Sequence, residues 1–279
     1  MERLPITFSC SVSSQLTDNT VPPTIHLIWL GSPLPARYLT GPTSLATLNP
    51  GHSVWVWLDH FTPAPALTQP NIRLKDVGGE VWRSQDLLDN CTNHAQRSDI
   101  LRLEIVQRYG GLYVDMDAVA RRPLGPVFSS PFLSYRPANW SETDAALGRL
   151  GGLVVEMGGS SAGLDTNIFA FPARHPFLAF TLCALRQNMN RTKETLNRYS
   201  EHWGSDDTGI VCRTGPGLYR EALLQFPHSE AVVGLINWDW FRPDNPHAVM
   251  VDWPGESDWD DSQDIRTALA SDNYSMQVK

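Results

Sequence analysis

The chain has 279 residues, 42% of them hydrophobic, which is enough for one sizeable α/β core and too much for a disordered polypeptide. A formal net charge of −8 argues against a nucleic-acid partner, whose phosphates need a basic surface. It does not exclude a nucleotide, because a local metal ion and one or two Arg reverse the sign inside a pocket.

No run reaches the roughly 18 consecutive apolar residues of a membrane span, and Met1 to Thr20 lacks a charged-then-apolar signal region. The expectation is a cytoplasmic or delivered protein, with a lumenal fragment of an anchored enzyme as the alternative. Asn-x-Ser/Thr triplets begin at Asn90, Asn139, Asn190 and Asn273 and would matter only in that second case. Cys10, Cys91, Cys183 and Cys212 are widely separated, with neither zinc spacing nor a dense disulfide framework, and read as small buried thiols.

Residues 1–20 are polar and irregular, a loose leader or a short element packed late, and 21–279 form one domain. Thr24 to Leu30 is a short apolar run between Pro22-Pro23 and Gly31, the pattern of a buried parallel strand. His26 within it reads as a core or edge histidine. Pro33 to Pro50 reads as a helix with turns, and Ser53 to Leu58 alternates into a second strand ending at Asp59, so a βαβ unit is expected. Asn71 to Lys75 is a short strand after a Pro-rich loop, and Gly78-Gly79 a turn.

The stretch 98–117, Ser-Asp-Ile-Leu-Arg-Leu-Glu-Ile-Val-Gln-Arg-Tyr-Gly-Gly-Leu-Tyr-Val-Asp-Met-Asp, holds most of the functional information. Ile100, Leu101, Ile105 and Val106 recur at helical spacing, Asn93 with Gln96 has the form of a capping box, and Gly110 suits a left-handed residue past the helix end. Asp99 and Arg102, three apart, share one side of that helix. Leu112, Val114 and Met116 then alternate with Tyr113, Asp115 and Asp117, which puts the last three on one face of a strand. Neighbouring carboxylates repel, so a functional Asp-x-Asp at a strand end implies a hard divalent ion, Mn2+ or Mg2+, that keeps positions for phosphate oxygens.

The run Ser-Asp-Ile-Leu-Arg, seven residues, then Gly-Gly-Leu-Tyr-Val-Asp-Met-Asp resembles the DXD-motif sugar-binding-region glycosyltransferases. That grouping includes Golgi mannosyltransferases, glycolipid galactosyl- and N-acetylglucosaminyltransferases and, more distantly, the large clostridial glucosylating toxins. The resemblance implies a GT-A type α/β fold with a mostly parallel central sheet flanked by helices, and a metal-dependent, retaining transfer of a hexose or N-acetylhexosamine. The donor would be a UDP-sugar, with GDP-mannose as the alternative, and the acceptor a hydroxyl of a glycan, lipid, small molecule or protein.

Carried over residue by residue, the resemblance implies metal binding by Asp117, metal or ribose contact by Asp115, and donor-sugar contacts by Asp99 and Arg102. Trp29 would stack on the base, with Leu30, Ser98, Tyr113 and Met116 also lining the donor site. Asn167, in Asp165-Thr-Asn before an apolar strand, would meet the donor sugar or the acceptor, since its amide both donates and accepts. A non-catalytic nucleotide-sugar or glycan-binding module is the rival reading.

Beyond the Asp pair, Pro123 takes Arg121-Arg122 out of the sheet. Phe132 to Arg136 and Leu153 to Met157 read as strands, Gly158 to Gly163 as a turn, and 176–198 as an outer helix opened by His175-Pro-Phe. Thr214-Gly-Pro-Gly217 matches a family loop before a helix, here Leu218 to Gln225. The resemblance also implies a closing segment near 245–265, with Asp252 as third metal ligand (His247, Glu256 or Ser257 as substitutes) and Ser257 and Trp259 over the donor.

Overall fold

A computed structural model describes residues 7–12, 20–59, 67–91, 93–136, 163–192, 213–226, 234–237 and 249–251. In chain order the strands are β1 (Thr24–Trp29), β2 (Ser53–Leu58), β3 (Ile72–Asp76), β4 (Gly111–Val114), β5 (Val119–Ala120), β6 (Phe132–Arg136), β7 (Gly163–Phe171), β8 (Gly234–Asn237) and β9 (Met250–Val251). Seven of them form one sheet in the order β3-β2-β1-β4-β7-β6-β8, and β5 with β9 forms a separate ribbon. All neighbours in the large sheet are parallel except those of β7, which runs against both β4 and β6. The helices are α1 (Thr40–Leu48), α2 (Gln85–Asn90), α3 (His94–Tyr109), α4 (Pro176–Met189) and α5 (Pro216–Gln225).

β1 reads as an unbroken apolar run because both of its faces are covered. Ile25 and Leu27 pack with Val54, Val56, Leu112 and Val114 on the α1 side. Ile28 faces the other way, toward Trp57, Tyr113 and the apolar stripe of α3. His26 lies fully buried on that second side. Its Nδ1 accepts from Trp57 Nε1 at 3.2 Å and its Nε2 meets the Gly110 carbonyl at 2.8 Å. Burial lowers its pKa to about 4, so the ring is a neutral core bridge, as expected.

Asn93 caps α3 by accepting from Ala95 N at 2.7 Å. At the other end Gly110 and Gly111 have φ of 66° and 112°. A Cβ on Gly110 would lie 2.6 Å from Ala173 N, and one on Gly111 would collide with the Thr24 carbonyl. The pair therefore turns the chain from α3 into β4 in a space that admits no side chain.

Several expectations need correction. β4 stops at Val114 and turns at Met116, so Asp117 does not continue a strand face with Tyr113, whereas Asp115, one residue past the strand, still meets the Tyr113 hydroxyl. β7 begins at Gly163, which places Asn167 inside a strand rather than ahead of one. α4 ends at Met189, short of 198, and 193–198 lie outside the described residues, as do 153–157. Cys10 and Cys183 are not buried thiols but a disulfide, with Cα atoms 5.9 Å apart, while Cys91 is free and half-buried and Cys212 lies outside the described residues.

Of the two readings of the N-terminal stretch, residues 7–12 take the packed one. Phe8 is buried edge-on against Phe180, its backbone N donates to Gln225 Oε1 at 2.9 Å, and the disulfide pins the segment to α4.

Candidate active site

The order β3-β2-β1 on one side and β4 on the other makes the gap between β1 and β4 a topological switch point, where open α/β sheets leave a crevice at their strand carboxyl ends. Asp115-Met116-Asp117 follows β4 there as a tight turn, closed by Ala118 N donating to Asp115 O at 3.1 Å. Met116 sends its side chain into the core on the α1 side, which leaves only its backbone near the crevice. The carboxylates on either side of it are both half-buried.

Behind the turn, Arg102 ties three segments together. Its Nη2 pairs with Asp99 Oδ1 at 3.0 Å and approaches Asp115 Oδ1 at 3.7 Å. Its Nη1 donates to Thr166 O at 2.9 Å and to Thr166 Oγ1 at 3.2 Å, and the guanidinium lies 4.8 Å above the Tyr113 ring. Burial opposes its charge, but Tyr113, Asp115 and Asp99 together outweigh that and push its pKa up.

Tyr113 OH donates to Asp115 Oδ1 at 2.6 Å, and the nearby Ser98 pulls the Tyr113 pKa down slightly against its burial. Burial raises the Tyr113 pKa well above its ordinary value, which keeps the phenol protonated and able to donate. Burial also raises the Asp99 carboxyl, with Arg102 and the Thr214 hydroxyl pulling it back. Thr214, at the start of the loop leading into α5, donates to Asp99 Oδ2 at 2.7 Å.

Asp99, Arg102, Tyr113 and Asp115 thus form one connected cluster, with Ser98 beside Tyr113. Asn167 joins it through its backbone, its carbonyl accepting from Asp115 N at 2.9 Å. Trp29 stands apart on the α1 side of β1, half-buried against Tyr38 at 4.5 Å, with Nε1 donating to Ser32 O at 3.0 Å. Leu30 packs on the opposite side, with the α3 core. Asp252, Ser257, Trp259, His247 and Glu256 lie outside the described residues.

Two features escaped the sequence reading. Thr166 reaches the cluster from β7, and Thr214, although its loop was singled out by the family match, reaches Asp99 by a contact that no local pattern marks. A cavity of about 650 Å³ also opens at the carboxyl ends of β1, β2 and β3, lined by Gly31, Asp59, Glu80, Trp82, His94 and Arg97 among others. Asp59 fixes its rim, both carboxylate oxygens accepting from Gly31 N at 2.9 and 3.0 Å. The position of Asp59 just past β2 was its available signal.

The Asp115–Asp117 turn fits a hard divalent ion in its donor chemistry. It offers carboxylate oxygens from two half-buried side chains, the ligand type such an ion takes. Among the described residues no group of three or more His, Cys, Asp or Glu gathers as a metal cluster, so the two Asp would form only part of the ligand set.

Residues 35–136 match the family model described as "Glycosyltransferase sugar-binding region containing DXD motif". "Subversion of eukaryotic traffic protein A" of Legionella pneumophila subsp. pneumophila (strain Philadelphia 1) is 30% identical over 130 residues, 42% of this chain and 20% of that protein. "Inositol phosphoceramide mannosyltransferase 3" of Schizosaccharomyces pombe is 23% identical over 158 residues, 57% of this chain and 35% of that one. The chain therefore spans well under half the length of these two curated relatives. The solved structure "PaToxG Glycosyltransferase" superposes with a TM-score of 0.51 at 17% identity, covering 75% of this chain and 70% of that one, and shares the GT-A type fold. No helix among the described residues is long and apolar enough to cross a membrane.

Proposed function

We propose, for a chain that carries the glycosyltransferase sugar-binding region with its DXD motif over residues 35–136, that it transfers a hexose or N-acetylhexosamine from a nucleotide-sugar to a hydroxyl acceptor, with metal dependence and retention of configuration. The observation that supports this most is the Asp115–Asp117 turn at the switch point, backed by the Arg102 cluster.

In this reading Asp117 and Asp115 bind Mn2+ or Mg2+, which supplies positive charge to the departing diphosphate. Arg102 holds Asp115 in place and adds a second positive charge near the same point. Asp99 and Arg102 are 4% and 7% exposed, so any contact they make with the donor sugar runs through a narrow open edge. The nucleoside, with UDP preferred over GDP, stacks in this reading on Trp29, which stands on the α1 side of β1 and does not line the cavity bounded by Asp59, His94 and Arg97. Asn167 is the contact to the sugar or the acceptor.

No nucleophile stands out in the cluster, which favours attack by the acceptor on the face the diphosphate leaves, the diphosphate taking the proton. The pairing of Val119 with Val251 supports Asp252, next in sequence, as the third ligand.

The test is a panel of UDP- and GDP-sugars with and without Mn2+, read by melting temperature and by release of free sugar. A ligand that binds only the folded state raises Tm. The reading expects a Mn-dependent rise with one donor series, accompanied by slow hydrolysis. Binding without hydrolysis or transfer would favour a recognition module, and no response to any donor would defeat both.

A further inference from the structure

The first turn of α1 packs against the backbone of the Asp-x-Asp turn more closely than a side chain allows. A Cβ built on Gly41 would lie 2.6 Å from the Met116 carbonyl oxygen and 2.8 Å from that of Ala118. Both obstructing atoms are main-chain, so no rotamer change relieves the contact and the turn itself has to move. Gly41 is buried, and no left-handed backbone requires glycine there. Within a helix glycine is a poor choice and alanine the best one. Its visible benefit is the close approach to the two carbonyls that flank Asp117.

The same helix grips the next residues. Ser44 Oγ donates to Gly41 O at 2.8 Å and accepts from Ala120 N at 2.9 Å, and it is buried. One turn further on, Asn49 Oδ1 accepts from Leu124 N at 2.7 Å. α1 thus docks at successive points along 116–124, and the docking is tightest beside the two carboxylates.

We propose that Gly41 is a positioning residue for the Asp115–Asp117 turn, with Ser44 as its second anchor, and that the packing of α1 sets the spacing of the two carboxylates toward a divalent ion. This rests on the metal-binding reading of that turn. Neither residue touches ion or donor; each acts through the main chain of Met116, Ala118 and Ala120.

The test compares the wild type with Gly41→Ala, Ser44→Ala and the control Gly51→Ala, whose added Cβ meets nothing within 4 Å. Two readouts are used: backbone amide resonances of residues 115–120 in the metal-free protein, and Mn2+ affinity from the electron paramagnetic resonance of free Mn2+. Gly41→Ala is expected to shift the Met116, Asp117 and Ala118 amides and to weaken Mn2+ binding about 10- to 100-fold, the usual effect of disturbing groups that orient metal ligands. Gly51→Ala is expected to leave both readouts at wild-type values.

Wild-type Mn2+ affinity with unmoved amides in Gly41→Ala overturns the proposal. Should Gly41→Ala fail to fold, Ser44→Ala decides, and unchanged Mn2+ affinity in that variant overturns it equally. If the wild type takes up no Mn2+, the metal reading falls and the amide shifts alone decide whether α1 positions the turn.

Discussion

Thr214 and Asp99, 115 residues apart in sequence, are joined by a 2.7 Å hydrogen bond from the Thr214 hydroxyl to Asp99 Oδ2. Asp99 uses its other oxygen on Arg102, and Arg102 in turn approaches Asp115. The loop before α5 is therefore connected to the crevice through two buried side chains.

Removing that hydroxyl while keeping the shape should expose its role. Thr214→Val leaves a buried carboxylate oxygen without its donor, at a cost of about 1–3 kcal/mol, and lets the Asp99 pKa rise further because one of the two influences pulling it down is gone. Thr214→Ser should restore most of the loss. Urea unfolding of the three proteins checks this, and equal midpoints for Val and Thr would contradict it.

Arg102 reaches Asp99, Thr166 and Asp115 and lies over the Tyr113 ring. Arg102→Ala should destabilise the fold by about 3–5 kcal/mol, the usual cost of breaking a buried ion pair and leaving one charge behind. Arg102→Lys should fall short of rescue, since one ammonium cannot reach Asp99, Thr166 and Asp115 with a planar fork. Chemical denaturation of both variants is the measurement.

Two buried histidines among the described residues set an acid limit. Burial lowers His26 and His175 from an ordinary 6.5 to about 4, so the unfolded chain binds more protons than the folded one between those values. Stability is thus full above 6.5 and falls as pH drops toward 4, by about 3 kcal/mol for His26. Tm measured across that window should decline, and His26→Gln should flatten the decline. A slope unchanged by the substitution would remove His26 from this role.

The Cys10–Cys183 disulfide closes a loop across 173 positions and holds Phe8 in the core. Cys183→Ser, or reduction, should lower stability by about 2–5 kcal/mol and loosen residues 7–12. Thermal unfolding with and without reductant reads this directly.

The elements that the sequence made legible are those with a strong period or a sharp boundary. β1 sits between Pro and Gly and is buried on both faces, α3 has its Asn93 cap and Gly110 terminus, and Phe132–Arg136 appears as read. The Asp-x-Asp geometry was misread because period two was extended past Val114. The bond from Ala118 N to Asp115 O that ends the strand leaves no mark in the pattern. Thr166, Thr214 and the disulfide are tertiary contacts between distant segments, and single-sequence periodicity holds no information about which distant residues meet.

The central claim is that Asp115 and Asp117 join a cation to a nucleotide diphosphate at the end of β4. Anomalous diffraction at the manganese edge, from crystals containing Mn2+ and UDP, tests it most directly. The account predicts one strong peak bonded to the Asp117 carboxylate and to the diphosphate, absent in Asp117→Ala. A diphosphate bound away from the Asp115–Asp117 turn, or a manganese peak that survives in Asp117→Ala, would contradict it.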